Sequence, residues 1–339
     1  MRLLRRRFWL RLALSGGLLG LLVWRVDIAQ ALRVFPDVRW VYVVPGLALY
    51  TLSKLIDTYR WQMMLSRVGR APLPGLFGTF LISNMTNNFV PVRIGDVLRV
   101  QVPAQRYGLS RAGVTATVFV TETLVDGVAF VILALIGLTL LDLPAPLTHL
   151  VWGLLGMVVV GVVLAVLAAR FRLPEGWHER GWWQWLPPWV HKTVNDVVPP
   201  FVDGLAALGD FRLGGRILGL SLVAWLLEVG MYWLFGFAFK LDISIGAYIL
   251  IMIAANMIVA MPVFISNIGA YEVAVAEMVV ALGAARSLAG GFAIGTHLIN
   301  IVWTSICGLT AMWLMNLRFE DVLQLRRKAV PQSSEPEPV

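Results

Sequence analysis

Long apolar runs alternate with short polar breaks along most of this chain. The runs predict helices over about 8–24, 40–56, 114–141, 150–169, 217–239 and 289–317. Each approaches or exceeds the roughly 20 residues that a membrane-crossing helix needs. Two further apolar runs are cut by polar residues. The first descends over 75–89 and returns over an amphipathic stretch, 94–107; the second descends over 245–261 and returns over 268–282. The expected fold is all-α and polytopic: six full spans plus two re-entrant hairpins, eight apolar elements in one membrane domain over 1–317.

The breaks have a common make-up. In the first, Pro91 removes a backbone donor and disfavours helix at Val90, and Gly95 allows another backbone or a ligand to come close. Arg93, Asp96 and Arg99 then set three charges where lipid is expected. The second break holds Asn256, Pro262, Asn267, Gly269 and Glu272. Irregular backbone at bilayer depth persists only where protein buries it or a wet cavity adjoins it. Charge at that depth costs about 2.5–3.5 kcal/mol per residue on insertion scales, so it usually has a task. Interrupted apolar segments in matching places of two halves are the sequence pointer to a transporter binding site.

Orientation follows from the cations, which accumulate on the cytoplasmic side of membrane proteins. With the N-terminus inside and both hairpins returning to their own side, 23 of the 28 Lys and Arg lie inside. Arg25, Arg33, Arg39, Lys240 and Arg286 lie outside. This count assigns Lys54, Arg60, Arg67 and Arg70 to an inner loop at and after the end of the second span. The layout is then span, span, hairpin, span, repeated once in the opposite sense, an inverted repeat. Eight full spans are the alternative topology.

Composition agrees with a membrane protein. Charged residues make up 14% and apolar residues 58%, against about 25% charged in soluble domains; mean hydropathy is +0.77. The formal charge of +8 therefore reads as positive-inside bias and not as a nucleic-acid surface. Cys307 is the single cysteine and the four histidines are far apart, so no metal site or cofactor is expected, and no P-loop occurs. The connection over 170–215 carries Trp177, Trp182, Trp183, Trp185 and Trp189. With apolar residues at helical spacing from Val190 to Leu205, it reads as an interfacial amphipathic helix. The stretch 318–339 reads as a basic, then disordered, cytoplasmic tail.

The segment from Pro91 through Gly95-Asp96 to Arg99, followed by Glu122 and Asp126 and later by Gly269-Ala-Tyr-Glu272, resembles the family of the lysylphosphatidylglycerol synthase transmembrane region. These flippase-like integral membrane proteins show a Pro-x-x-x-Gly-(Asp/Glu)-x-x-Arg element and a later Gly-x-x-Glu element. The resemblance covers about 10–317 and implies translocation of a lipid across a bilayer; the expected location is a bacterial inner membrane, with both termini cytoplasmic by the cation count. The chain leaves no room for the soluble domain that attaches lysine in the namesake enzymes, so synthesis of an aminoacyl lipid is not expected of it. Asn267-Ile268 stands before Gly269 where a Ser/Gly-rich stretch is common.

The candidate substrate-binding residues are Arg93, Arg99, Asp96, Glu122, Asp126, Glu272, Asn87 and Asn88, with Pro91, Gly95, Pro262 and Gly269 as the hairpin breaks. Arg93 and Arg99 suit a lipid phosphate, because a guanidinium fork bonds two phosphate oxygens at once. Glu122 and Asp126 share a helix face and are expected to meet Arg93 or Arg99. A structural ion pair is the plainer role for them, as positive-inside anchoring is for the arginines. The asparagines suit broken backbone better than substrate, and His297 suits an interhelical hydrogen bond better than proton coupling. The expected function is movement of an anionic or phosphate-bearing lipid between leaflets, with a lipid-synthesising enzyme as a candidate partner. A membrane-embedded transferase on a lipid-linked substrate, or a non-catalytic partner of a lipid-modifying enzyme, are the alternatives.

Overall fold

The computed structural model describes residues 35–89, 93–141, 145–170, 211–260 and 267–317. Within these it holds nine helices and no strand. The first predicted span, the interfacial helix, the tail, Pro91 and Pro262 lie outside the described residues.

Helices α1 (Trp40–Leu65), α2 (Leu73–Phe89), α3 (Ile94–Tyr107) and α4 (Arg111–Leu140) form one unit. After α5 (Ala145–Arg170) the pattern recurs as α6 (Phe211–Ala238), α7 (Ile245–Ala260), α8 (Ala270–Ala281) and α9 (Arg286–Leu314). The lengths match in order: 26, 17, 14 and 30 residues, then 28, 16, 12 and 29. Three helices, Arg111–Leu140, Arg212–Ala238 and Arg286–Leu314, are long and apolar enough to cross a membrane. At about 1.5 Å per residue, α2, α3, α7 and α8 each fall short of the roughly 30 Å hydrocarbon core.

The two units run antiparallel. Arg39 N donates to Ala238 O at 2.9 Å, so α1 starts where α6 ends. Further along α1, Lys54 meets Glu228 and Arg60 meets Ser221, in strictly descending order along α6. This is the most extensive helix pair in the fold. Close packing is set by small residues: a methyl added at Gly46 would stand 2.7 Å from the Phe235 ring. The units also exchange partners. α2 packs on α9, where Gly308 faces Met85, and α7 packs on α4, where Gly137 faces Leu250. Each short descending helix thus leans on the last long helix of the other unit. The main apolar core lies around α6–α9 and includes Phe235, Phe239, Tyr248 and Phe292; a smaller one joins α2, α3 and α9 through Met85, Leu98 and Met312.

The sequence-based end of the second span needs correction. α1 does not stop near Ile56 but continues to Leu65. Lys54, Asp57 and Arg60 therefore lie inside the helix and are buried, not in an inner loop. Apolar contacts of Trp61, Met64 and Leu65 beyond them, together with the charge partners described below, carry the helix past the charged turn.

At the first break, Arg93 adopts a left-handed conformation (φ 50°, ψ 49°) and starts α3. Gly95 follows because nothing larger fits: an added Cβ would lie 2.0 Å from Ser83 O and 2.6 Å from Asn87 Oδ1. At the second break Asn267 and Gly269 both take positive φ, 55° and 86°. Both returns thus begin from a left-handed residue near a glycine. Gly95→Ala is expected to lower stability by about 1–3 kcal/mol through overpacking. Gly156→Ala on α5, where an added methyl meets nothing within 4 Å, is expected to be neutral or mildly stabilising. Thermal melting of the detergent-purified variants checks this contrast; equal effects would contradict the packing described.

Candidate functional site

Between the two units lies a cavity of about 260 Å³. α1 contributes Tyr50, Lys54, Asp57 and Arg60, and the α2–α3 hairpin contributes Phe80, Asn84, Asn87, Asn88, Arg93, Asp96 and Arg99. α4 adds Glu122, Asp126 and Phe130, while the second unit adds Trp225, Asn256, Val259, Asn267 and Thr304. Its charged lining is balanced, with four cations and four carboxylates.

A saturated charge relay forms one wall. Glu228 on α6 accepts from Lys54 Nζ at 2.7 Å and from Asn256 Nδ2 at 2.6 Å. Lys54 also reaches Asp57 at 3.4 Å and stands over the rings of Tyr50 and Trp225. Asp57 accepts from Arg60 Nε at 3.0 Å. Arg60 Nη2 donates to Asp126 at 2.6 Å, and its Nη1 donates to Thr121 O and Ser221 Oγ. Asp126 is completed by Ser221 Oγ and Trp225 Nε1, at 2.5 and 2.8 Å. Buried ions need this degree of pairing, because desolvation costs several kcal/mol for each charge.

Arg60 also fixes a local irregularity. α4 widens into a π turn over Val120–Val125, with Asp126 N bonding Thr121 O five residues back. Such turns occur as single insertions in α-helices, often at functional sites. Here the turn carries Glu122, and Arg60 braces the same Thr121 carbonyl.

The opposite wall is less saturated. Arg99 pairs with Glu122 and lies over Trp61 and Phe80, 4.8 and 4.4 Å from the ring centroids. Its Nε is buried without a hydrogen-bond partner. The Arg99 side chain is 7% exposed, whereas Glu122 is 39% exposed. Beside them Asn87 closes the hairpin, accepting from Gly95 N and donating to Asp96, both at 2.8 Å. Arg93 pairs with Asp96 at 2.6 Å and donates to Val259 O at 2.7 Å. That carbonyl lies in the last turn of α7, where helices leave acceptors unfilled. Arg93 thereby ties the first break to the second. Asn88 donates to Thr304 on α9 at 2.7 Å.

A model of the lysylphosphatidylglycerol synthase transmembrane region matches residues 8–308. The chain belongs to this family. It is also similar to a UPF0104 membrane protein of Methanothermobacter thermautotrophicus, 25% identical over 119 residues, 35% of this chain and 36% of that protein. The chain thus spans about a third of that relative's length. No solved structure matches.

In this family member the cavity gathers Arg93, Arg99, Asp96, Glu122, Asp126, Asn87 and Asn88. Glu122 meets Arg99 as the sequence predicts. Asp126 does not meet Arg93 or Arg99; it pairs with Arg60, which reaches it from within α1. Glu272 is not part of the cavity lining. It caps α8, accepting from Gly269 N at 2.7 Å, and pairs with His297. Sequence reasoning missed Lys54, Asp57, Arg60 and Glu228 as site residues. The available signal was Tyr50, Lys54, Asp57 and Trp61 recurring on one helix face, with apolar residues continuing after Arg60.

Arg60→Met would leave Asp126 without its cation and Asp57 with Lys54 alone, and a loss of about 3–5 kcal/mol is expected for breaking such a buried pair. Glu122→Gln keeps an acceptor beside the buried Arg99 and alters a side chain that is 39% exposed, so it is expected to cost less than Arg60→Met. Reversible unfolding in bicelles measures both; a larger loss for Glu122→Gln would contradict the division of the site into braced and unbraced walls.

Proposed function

We propose that this integral membrane protein moves a phosphate-bearing lipid between leaflets, with the head group passing through the charged cavity and the acyl chains remaining in the bilayer. The observation that carries this reading is Arg99. It is a buried guanidinium with one half-exposed carboxylate partner and a free Nε, in a cavity between two antiparallel units. Arg60 uses all three of its nitrogens on protein acceptors and acts as a brace. Arg99 can exchange Glu122 for a phosphate oxygen while Glu122 turns to water. Guanidinium geometry suits such bidentate contact. Asp96, 48% exposed, and the released Glu122 then offer acceptors to head-group hydroxyl or ammonium donors.

In this reading the short helices α2–α3 and α7–α8 are two re-entrant hairpins that enter from opposite faces, and the membrane is the bacterial inner membrane. The antiparallel units support that arrangement, as does the Arg93 contact between the breaks. Family membership supports a lipid as the cargo. The driving force is a lipid, proton or voltage gradient; voltage supplies about 2.3 kcal/mol per charge per 100 mV.

The test is leaflet exchange of fluorescent phosphatidylglycerol in vesicles that carry the purified chain. Arg99→Lys keeps the charge and loses the fork. One charge-assisted hydrogen bond is worth about 1.5–3 kcal/mol, so exchange is expected to slow by roughly tenfold or more. An Arg99→Lys variant as fast as the parent would overturn the phosphate role. Covalent change of the lipid without exchange would instead assign a transferase.

A further inference from the structure

The two repeats carry equivalent ion pairs of opposite build. In the first, the return helix α3 supplies the cation Arg99 and the long helix α4 supplies Glu122. In the second, the return helix α8 supplies the carboxylate Glu272 and the long helix α9 supplies His297, with Nδ1 and Oε1 2.6 Å apart. Glu122, in a helix starting at Arg111, and His297, in a helix starting at Arg286, occupy the same place in their repeats. Arginine holds its charge at any physiological pH, whereas histidine is the side chain whose charge changes there.

The His297–Glu272 pair sits away from the cavity lining and touches the hinge that the cavity uses. Both side chains are about nine-tenths buried. Glu272 Oε2 accepts from Gly269 N, so the carboxylate holds the left-handed turn that begins with Asn267, a cavity residue whose Oδ1 is buried without a partner. The Tyr271 ring stacks on His297 at 4.2 Å. Tyr271 also shares hydrogen bonds with Tyr232 on α6 and Thr296 on α9. Glu228 and Tyr50 lie within electrostatic reach of Tyr232, and Glu228 also of Tyr271. Among the described residues Glu272 has no ion-pair partner but His297.

We propose that the His297–Glu272 pair is the proton-binding site that couples lipid movement to the proton gradient. This rests on the transport reading above. With its proton bound, the pair carries cation and carboxylate in balance and Glu272 keeps its bond to Gly269. When the proton leaves, one net negative charge remains in a buried site, which is costly. Glu272 then turns toward water, releases Gly269 N and frees the second hairpin. Proton loss therefore loosens the α8 end of the cavity, and proton binding restores it. The closing contribution is present at low pH and lost as pH rises.

The experiment uses the full chain in vesicles with two readouts. The first is amide hydrogen exchange of the segment 267–281, corrected for the intrinsic pH dependence of exchange. Protection is expected to fall as pH rises in the parent and to stay flat in His297→Gln and in His297→Arg, the latter supplying a fixed cation. The second is the leaflet distribution of fluorescent phosphatidylglycerol under a gradient of one pH unit. One proton coupled per lipid shifts that distribution by about tenfold, and both variants are expected to show no shift, with folding verified by thermal melting. Protection that does not change with pH in the parent overturns the proposal, as does a gradient response that persists in folded His297→Gln. A titrating hinge without any lipid exchange in the parent supports the proton site and overturns the transport reading and the coupling built on it.

Discussion

The contact on which this structure depends is the ladder of buried charges along the antiparallel seam of α1 and α6. Lys54 and Arg60 lie less than two turns apart on one helix, and each must find a carboxylate inside protein because lipid offers none. Glu228 comes from α6 and Asp126 from α4, with Asp57 bridging the two cations. A charge removed from water without these partners would cost more than the fold can spare, since whole domains are stable by only about 5–15 kcal/mol. The ladder therefore does two things. It fixes the register of the seam, and it sets α4 against α1 with its π turn held open by Arg60 at the Thr121 carbonyl.

Once the ladder is in place, the rest of the site follows from what remains unsaturated. The hairpin α2–α3 is closed by its own Asn87, Gly95 and Asp96 and tethered by Arg93 to the end of α7. That arrangement puts Arg99 opposite the π turn, between two aromatic rings and one half-exposed carboxylate. The second unit uses the corresponding joint differently. Its hairpin is capped by Glu272 and held by a histidine. A pseudo-symmetric scaffold thus carries an arginine–carboxylate joint in one unit and a histidine–carboxylate joint in the other, an asymmetry that helix lengths alone do not reveal.

Much of the architecture was legible in the sequence because apolar length and the Pro, Gly and Asn breaks report directly on where helices start and stop. The first return is expected over 94–107 and is observed over Ile94–Tyr107. Gly95 was readable as a close approach, since only glycine leaves room for the Ser83 carbonyl. That Glu122 would meet Arg93 or Arg99 followed from opposite charges having few partners in an apolar chain; the same expectation failed for Asp126, which Arg60 reaches from within α1. The second span was misjudged for the converse reason. A cluster of Lys54, Asp57 and Arg60 looks the same in sequence whether water or protein surrounds it, and the deciding partners, Glu228 and Asp126, lie far along the chain. The π turn has no local signature, because its brace is a side chain from another helix. Glu272 and His297 were visible as polar residues in apolar runs, but that they face each other is a tertiary fact.

The most direct measurement is a double-mutant cycle between Lys54 and Glu228, using Lys54→Met, Glu228→Gln and the pair in reversible unfolding from bicelles. If the charged seam holds the two units together, each single change is strongly destabilising and the double variant recovers part of the loss, with a coupling of about 2 kcal/mol or more. Losses that simply add, to within about 0.5 kcal/mol, would show that the units are held by apolar packing alone and would contradict the account.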